Sequence, residues 1–471
     1  MPINSFLYPG AKVTPAYEVA NSVRFNQPDS AYLNRTLGTA TNRKKFTFSL
    51  WFKRSSLTNN YGNLITGGTD GGTNIDEFTL HSSDKLSFQG YESSTQEFQL
   101  RTNQLFRDVS AWYHAVVAYD STQGTASNRI KMYVNGTQVT SFAIETYPDE
   151  NHEPLFNSNV SHLIGRYFEG SNYYNGYIAE VVFIDGSALA PTSFGEFDED
   201  SPTIWKPIDV SGLTFGNNGF YLDFEDSANL GNDANGGTDW SETNLAATDQ
   251  STDTPTNNFC TLNPIFGIGR QDQLTYSEGN TVVVSGATSG SDTVSPSTFA
   301  LNSGKWYAEF KLTDDADGVY VGVAESNFAF TNSGVDASGY ANIWLVRGDD
   351  GTRRNNDNNA YVGSAFSDDE IISIAIDMDN SKIWWAVDGT YPNSGDPAAG
   401  SNAAFTNLSG ELIIIVGDNY SSKTPTIKAN FGNPSYANSS SAADANGYGD
   451  FEFAPPSGFY ALCTKNLAEF G

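Results

Sequence analysis

Cysteine, methionine and histidine are rare in this sequence, and each scarcity excludes a class of site. The 471 residues include two cysteines, three methionines and four histidines. Cys260 and Cys463 stand far apart, without a CxxC pair or a Cys–His spacing, so neither a zinc site nor a disulfide framework is expected. We predict two free, buried thiols that lie close together, because they flank one domain; a single long-range bridge is the alternative.

Basic residues are also in short supply. The chain has 25 lysines and arginines against 55 aspartates and glutamates, which gives a formal net charge of −30. Such a surface repels nucleic-acid phosphates and anionic membranes, so neither is expected as a partner. We interpret the charge as a source of solubility, with a store of cations as the alternative.

Long apolar segments are missing as well. No run approaches the about 18 apolar residues that a membrane-spanning helix needs, so no membrane insertion is expected. Residues 1–20 lack the basic and apolar regions of a signal peptide and are interpreted as an N-terminal arm. This arm has too few apolar side chains for a core of its own, so we predict that it becomes ordered only on another surface.

Aromatic residues and glycine are plentiful instead, at 13% of the chain and 44 residues respectively. This mixture favours aromatic strands joined by tight turns. Residues 46–52 alternate with period two, and residues 112–119 form the nearly continuous apolar run of a strand that is buried on both faces. The pattern predicts an all-β fold of two antiparallel β-sandwiches in tandem, with a turn or two of helix near residues 191–196.

Composition divides the chain into four segments. After the arm, residues 21–205 form the first sandwich and residues 260–471 the second. Residues 206–259 are dominated by Asn, Asp, Gly, Ser and Thr, and we interpret them as an extended connector that adds one strand to a neighbouring sheet. The predicted strands include residues 78–80, 85–88, 97–100, 130–134 and 177–184, then 305–312, 319–324, 343–346, 371–377, 382–387, 412–416, 426–431 and 459–462.

The sequence offers little for catalysis. Retaining glycosidases need two carboxylates about 5 Å apart, and residues 196–201, the nearest approach to such a run, lack the final glutamate. No G-x-S-x-G elbow and no P-loop are present. His114 lies within a predicted core strand and is interpreted as a hydrogen-bonded scaffold residue. We therefore expect no enzyme.

Oxygen-rich loops raise the question of calcium. Residues 315–318 resemble the start of an EF-hand loop, but Ser326 stands where the bidentate glutamate is required, so a β-turn is predicted. We expect no cofactor and keep calcium as the alternative. A second group of hard oxygen ligands is interpreted as plain loop: Asp226, Asn229, Asn232, Asp233 and Asn235.

Aromatic and amide side chains cluster just before a predicted core strand. Aromatic faces stack on sugar rings and amides bind hydroxyl groups, so this cluster is the candidate contact for a glycan or a partner. Ordinary packing at the rim of the sandwich is the alternative. The cluster consists of Tyr167, Phe168, Asn172, Tyr173, Tyr174 and Asn175.

Each half resembles a known type of jelly roll. The first is similar to concanavalin A-like, laminin-G-type domains over roughly residues 21–200, and the second resembles SPRY domains. These resemblances imply two concanavalin A-like, jelly-roll sandwiches in tandem. For the first domain the resemblance rests on residues 46–53 (FTFSLWFK), 112–120 (WYHAVVAYD), 133–136 (YVNG) and 176–181 (GYIAEV). For the second it rests on residues 304–310 (GKWYAEF), 321–324 (VGVA), 374–380 (IAIDMDN), 387–389 (VDG), 430–432 (NFG) and 455–459 (PPSGF).

Further segments resemble virion proteins of tailed bacteriophages, particularly marine phages. They are residues 21–25 (NSVRF) with 29–33 (DSAYL), residues 219–224 (GFYLDF) and residues 253–259 (DTPTNNF). The resemblance implies a non-enzymatic structural component, such as a tail fibre, an appendage or a capsid-surface protein, that is assembled in the host cytoplasm and released by lysis.

Such a component is expected to contact other virion proteins and to present its sandwiches to host-surface glycans or proteins. A homo-oligomer is expected, with a trimer favoured because phage fibres of this kind are commonly threefold. Two alternatives stay open: a purely architectural virion protein without a ligand, and a secreted enzyme that processes glycans.

Overall fold

The computed structural model describes residues 17–57, 61–266, 271–286, 293–328, 340–356, 363–418 and 423–471. Most of the predicted arm, residues 1–16, lies outside these ranges. The all-β prediction is confirmed, since the chain folds into two antiparallel β-sandwiches in tandem. No helix in the described ranges is long and apolar enough to cross a bilayer.

The strands and helices have the following bounds. In the first half they are β1 (Ser22–Phe25), β2 (Tyr32–Thr36), β3 (Lys45–Arg54), β4 (Gly62–Asp70), β5 (Asn74–Leu80), β6 (Leu86–Glu92), β7 (Thr95–Thr102), β8 (Trp112–Asp120), β9 (Ile130–Val134), β10 (Thr137–Gln138), β11 (Phe142–Thr146), β12 (Ser161–Ile164), β13 (Gly176–Asp185), β14 (Gly195–Phe197), β15 (Trp205–Pro207), β16 (Phe220–Leu222), β17 (Ser241–Thr243) and β18 (Gln250–Ser251). The second half has β19 (Leu274–Ser277), β20 (Val282–Ser285), β21 (Thr293–Leu301), β22 (Lys305–Asp314), β23 (Val319–Glu325), β24 (Ile343–Arg347), β25 (Arg353–Arg354), β26 (Ile371–Asp377), β27 (Lys382–Val387), β28 (Leu412–Asp418), β29 (Thr426–Asn430), β30 (Tyr460–Ala461) and the helix α1 (Thr464–Phe470). Single 3-10 turns occupy Gln27–Asp29, Ala126–Asn128, Pro191–Ser193, Ala247–Asp249, Gln271–Gln273, Glu278–Asn280, Ala316–Gly318 and Pro392–Ser394.

The first sandwich packs two antiparallel sheets face to face. One sheet has the order β10-β9-β8-β3-β13-β1-β18, with β16 also paired to β13; the other has the order β11-β7-β6-β5-β4-β12-β2-β17. Alternation along β3 sends Phe46, Phe48, Leu50 and Phe52 into the core between them. Phe46 stacks on Tyr119 of the neighbouring strand at 4.7 Å between ring centroids, so aromatic pairs help to fix the register of β3 against β8.

Strand β8 is buried on both faces, as the apolar run predicts. Val117 belongs to the sandwich core, whereas Val116 packs outward against Phe194, Val210 and Phe215 of the segment that follows β13. His114 also points outward and is buried. Its ring nitrogens lie 2.8 Å from Ser49 Oγ and 2.9 Å from the indole nitrogen of Trp205, which confirms the scaffold interpretation.

The second sandwich pairs a sheet of order β19-β20-β29-β22-β26-β27 with one of order β21-β28-β23-β24-β25. Its β26–β27 hairpin turns after Asp377, which pairs with Lys382, as the predicted hairpin requires. Helix α1 follows the short strand β30 and was not predicted, because its seven residues are too few to show a helical period.

The segment 206–259 differs from an extended connector with one strand. It contributes β16 and β18 to one sheet of the first sandwich and β17 to the other. Phe220, Leu222 and Trp240 are buried in the first core, where Trp240 meets Phe220 edge to face at 4.9 Å. The abundant Asn, Asp and Gly form the turns between these short strands. The composition therefore resembles that of a connector, although the segment is a structured extension of the first domain.

The two cysteines lie close together and are free, as predicted. Phe259 pairs with Cys463 in a short antiparallel bridge, and the Cys260 backbone N–H donates to the Leu462 carbonyl at 2.9 Å. Because neighbouring residues of an extended chain point to opposite faces, Cys260 and Cys463 enter different apolar clusters. The sulfurs therefore face apart, and the same contacts join the chain's end to the start of the second domain.

Candidate functional site

The predicted aromatic cluster lies in the loop between β12 and β13, and its members have different environments. Tyr174 is 2% exposed and belongs to the core, where its ring meets Phe25 edge to face at 6.4 Å. Its hydroxyl donates to the Lys53 carbonyl at 2.8 Å. Tyr174 is therefore a packing residue, contrary to its interpretation as a stacking surface, and its hydroxyl lies against Gly176, where an added Cβ would come within 2.9 Å of it.

Tyr173 and its neighbours form the less buried part of the cluster. Arg166 lies over the Tyr32 ring at 4.2 Å and over the Tyr173 ring at 5.9 Å, so one guanidinium bridges two half-buried tyrosines. The same Arg166 donates to the Phe168 carbonyl at 2.8 Å, which holds the loop in shape.

Tyr167 and Asn172 maintain the loop. The Tyr167 backbone N–H donates to the Ser171 carbonyl at 3.1 Å, and burial raises the pKa of its phenol to about 12. Asn172 has a φ of 50°, a left-handed conformation that asparagine tolerates, and its carbonyl accepts from the Asn63 backbone N–H at 3.4 Å.

Asn175 faces a larger feature, a cleft of about 740 Å³ between the two sandwiches. The buried atoms Asn175 Oδ1 and Ser55 Oγ have no hydrogen-bond partner within the described protein. Ile265 is 44% exposed on the opposite wall. The cleft is lined by Gln27, Pro28, Ser55, Ser56, Leu57 and Asn175 of the first sandwich and by Pro264, Ile265, Leu274, Thr275 and Tyr276 of the second. We name this set of residues the junction cleft.

The junction cleft is chemically neutral. Among its described lining residues none is an acid or a base, and the Tyr276 hydroxyl is engaged with Ser295 Oγ at 3.0 Å. Apolar walls with uncharged hydroxyl and amide side chains suit a neutral, hydroxyl-bearing or amide-bearing ligand. Asn175 was predictable from the sequence but the second wall was not, since no local pattern indicates that residues 264–276 pack beside residue 175.

The acidic run at residues 196–201 is a surface loop. Glu196 and Asp198 flank Lys206 at 3.4 and 3.3 Å, and all three side chains are partly or largely exposed. The buried carboxylate of Glu309 accepts backbone N–H groups of Glu452 and Phe453 at 2.9 and 2.8 Å. All three carboxylates thus have structural partners.

The oxygen-rich loops are likewise occupied by protein contacts. Asp233 accepts from Arg35 at 3.2 Å and from the Tyr221 backbone N–H at 3.0 Å. Asp317 lies 2.6 Å from the Lys423 ammonium, and residues 316–318 form the predicted turn. Within the described ranges, no group of three His, Cys, Asp or Glu residues is placed to hold a metal ion.

Comparison with known families agrees with this architecture. Residues 27–192 match the concanavalin A-like lectin/glucanases superfamily, and residues 305–434 match the SPRY domain family. The chain thus contains a concanavalin A-like domain followed by a SPRY domain, as the sequence resemblances predicted. No curated protein sequence matches the chain.

Solved structures that resemble parts of the chain are remote. The SPRY domain of human HERC1 is 18% identical with a TM-score of 0.29, covering 36% of this chain and 96% of that one. A heptameric SAP-like pentraxin from Limulus polyphemus is 16% identical with a TM-score of 0.28, covering 37% and 80%. Stonustoxin is 17% identical with a TM-score of 0.27, covering 36% of this chain and 27% of that one.

Proposed function

We propose that the protein is a non-enzymatic component of a tailed-phage particle that presents its two sandwiches to the host surface, with the junction cleft as the contact for a neutral host glycan. The observation that carries the binding role is the junction cleft itself, a space of about 740 Å³ between the two sandwiches whose described lining residues carry no formal charge at neutral pH. The virion role rests on the phage-like segments of the sequence.

The construction of the domain junction supports a presenting role. Tyr177 of the first sandwich donates its hydroxyl to the Gly279 carbonyl of the second at 2.9 Å, and the Lys465 ammonium lies 2.7 Å from Glu18. A cleft between two domains binds a ligand with little loss of conformational entropy when the domains are already held in one arrangement. The junction contacts provide that arrangement.

Assembly into a homo-oligomer, with a trimer favoured, is part of the proposal. The arm ends at Tyr17 and Val19, which contact Glu180 and Thr256 of the first domain. A preceding segment with little core of its own gains order by lying on another subunit or another virion protein.

The virion role is tested by mass spectrometry of density-purified particles and by immunogold labelling with antibodies against the full chain. We expect the chain in the particle and label on its exterior. Absence of the chain from purified particles would refute the virion role, whatever the result of the binding experiment.

The binding role is tested with the fluorescent full chain on host cells, with purified host polysaccharide as competitor. Asn175→Leu replaces a polar side chain that lines the cleft by an apolar one and is expected to reduce cell labelling by about tenfold, the equivalent of one lost hydrogen bond to the ligand. Asn217→Leu, at an exposed position away from the cleft, is the matched control. Equal labelling by both variants would exclude the junction cleft as the contact.

A further inference from the structure

Lys53 is a buried amine that contacts an acyl group as well as its counter-charge. Its nitrogen lies 2.7 Å from Asp253 Oδ2 and 2.7 Å from the amide oxygen of Asn258, and it donates to the Phe259 carbonyl at 3.2 Å. The Lys53 and Asp253 side chains are 1% and 0% exposed. An amine, a carboxylate and a carboxamide in one contact are the groups that an intramolecular acyl transfer requires.

The Asn258 amide is held with its carbonyl oxygen toward Lys53. Its Nδ2 donates to the Ser110 carbonyl at 2.6 Å. The backbone of Asn258 is fixed as well, since its N–H donates to Thr464 Oγ1 at 3.0 Å and its carbonyl accepts from the Thr464 N–H at 2.9 Å. A C=O bond is about 1.2 Å long, so the amide carbon lies one short bond from the oxygen that Lys53 contacts. The acyl carbon is therefore held next to the amine, which is the positioning that acyl transfer needs.

Asp253 is placed to take the ammonium proton. Its Oδ2 contacts Lys53, while its Oδ1 accepts from the Trp112 indole N–H at 2.9 Å and from the Phe259 backbone N–H at 3.3 Å. These donors fix the carboxylate, and the Tyr177 ring lies 5.5 Å from the Lys53 nitrogen. An amine that has given its proton to Asp253 has the free electron pair that attacks an amide carbon.

We propose that Lys53 and Asn258 form an intramolecular amide bond, with Asp253 as the proton carrier. The Nζ–Cγ bond forms and the Cγ–Nδ2 bond breaks. Nζ loses two protons by way of Asp253: one goes to Nδ2, which leaves as ammonia, and the other stays on the now neutral carboxyl group. No oxidant or further reactant takes part.

The reaction replaces a buried ion pair by neutral groups, which removes the cost of keeping two charges out of water. An ammonium nitrogen has no free electron pair until it loses its proton. The ion pair is therefore the resting state of the newly folded chain, and the amide forms from it slowly. The bond joins β3 to the segment that enters the second domain. It depends neither on a ligand of the junction cleft nor on the virion role, because neither enters the reaction.

The test is intact-mass spectrometry of the full chain, denatured at intervals during incubation at physiological temperature. Freshly purified chain is expected at the sequence mass, and a species lighter by about 17 Da, the mass of ammonia, should accumulate. Digestion should then yield a branched fragment that joins Lys53 to Asn258, identified by tandem mass spectrometry. The branch distinguishes this bond from a succinimide at an Asn-Gly pair, which also loses ammonia but leaves the peptides linear.

Three variants accompany the parent. Asn258→Leu removes the acyl group at a half-buried position and should keep its own sequence mass. Lys53→Arg keeps a cation beside Asp253 without a nucleophilic amine, and should keep its mass as well. Asn217→Leu, at an exposed position, is the matched control and should lose ammonia at the rate of the parent. Thermal midpoints check that each variant is folded, and the mass of the parent decides the question if one is not.

Three results would overturn the proposal. They are a parent chain that keeps the sequence mass throughout the incubation, a loss of about 18 Da with the branch between Lys53 and Asp253, and a loss of ammonia confined to linear peptides. A chain that already carries the Lys53–Asn258 branch when purified supports the bond and shows that it forms faster than expected.

Discussion

The Lys53 ammonium lies 2.7 Å from a carboxylate oxygen of Asp253, and the two side chains are 1% and 0% exposed. Lys53 also donates to Asn258 Oδ1 at 2.7 Å, while the Trp112 indole donates to the other Asp253 oxygen at 2.9 Å. Burial of two charges costs much desolvation energy, which this pair recovers through several hydrogen bonds. The pair sits where the first sandwich meets the segment that leads into the second.

Lys53→Met is expected to destabilise the protein strongly, because it leaves the Asp253 carboxylate buried without its counter-charge. Loss of one partner of a buried pair costs about 3–5 kcal/mol, measured here by urea unfolding of the full chain. Lys206→Met, which breaks an exposed pair, is the control and should leave the urea midpoint almost unchanged. If the double variant Lys53→Met with Asp253→Leu regains much of the stability that Lys53→Met loses, the charge argument is supported. If Lys53→Met alone has no effect on stability, the argument is contradicted.

A glycine at the junction provides a second prediction. Gly279 has a φ of 65°, and a Cβ there would overlap the Tyr177 hydroxyl. Gly279→Ala therefore combines backbone strain, about 1–2 kcal/mol, with a clash across the domain interface. Its effect on the free energy of unfolding should exceed that of Gly236→Ala, where φ is 80° and nothing lies within 4 Å of the added carbon.

Truncation of the clashing ring separates the two causes, because the added Cβ would overlap ring carbons of Tyr177 as well as its hydroxyl. Tyr177→Ala combined with Gly279→Ala should be less damaging than the sum of the single changes, since the two residues are in contact. Strict additivity, or equal losses from Gly279→Ala and Gly236→Ala, would show that the interface is loose at this point.

The sequence predicted the fold where local pattern decides it. Alternation located β3 and the continuous run located β8, while Asn135-Gly136, with positive φ at both residues, gave the hairpin between β9 and β10. The short strands β16–β18 were not located from the sequence, because three or fewer residues show no period and only tertiary pairing makes them strands.

The candidate site was predictable only in part. Asn175 was found from its aromatic and amide surroundings, but the inward orientation of Tyr174 goes with its contacts to Phe25 and the Lys53 carbonyl, which residue type does not reveal. The opposite wall of the junction cleft arises from the packing of one domain on the other. Contacts of such long sequence separation leave no trace in composition or spacing.

Glu180 gives the protein a defined response to pH. It is 5% exposed and accepts from Tyr221 at 2.8 Å and from Tyr17 at 3.0 Å; burial raises its pKa to about 7 from 4.5 in spite of these bonds. A raised carboxyl pKa means that the folded state holds its proton longer than the unfolded state. The stabilisation is complete below pH 4.5 and is lost as the pH rises through 7.

Buried histidines act in the opposite direction at lower pH. Burial lowers the pKa of His114 to about 3 and that of His162 to about 4 from 6.5, so these residues favour the folded state as the pH rises toward 6.5 and have little further effect above it. Between pH 6.5 and about pH 8 Glu180 should lower the free energy of unfolding by about 1 kcal/mol. Glu180→Gln should remove that part of the pH dependence in urea titrations, and an unchanged slope would place the titration elsewhere.

The two thiols provide the final prediction. Cys260 and Cys463 are both fully buried, and burial raises the pKa of each thiol to about 11, so thiolate is scarce at neutral pH and the sulfurs are shielded from reagents. Neither thiol should react with a disulfide reagent in the native protein, and both should react in guanidinium. Both should still react in guanidinium after storage under air, because side chains in different apolar clusters cannot form a disulfide. Cys260→Ser and Cys463→Ser should each cost stability by placing a hydroxyl in an apolar cluster, while the count of reactive thiols in the unfolded variant falls to one. Two results would contradict this prediction: a mobility shift between reduced and non-reduced native samples, or reaction of one thiol without denaturant. Either would show that the chain's end is not held against the start of the second domain as the Phe259–Cys463 bridge requires.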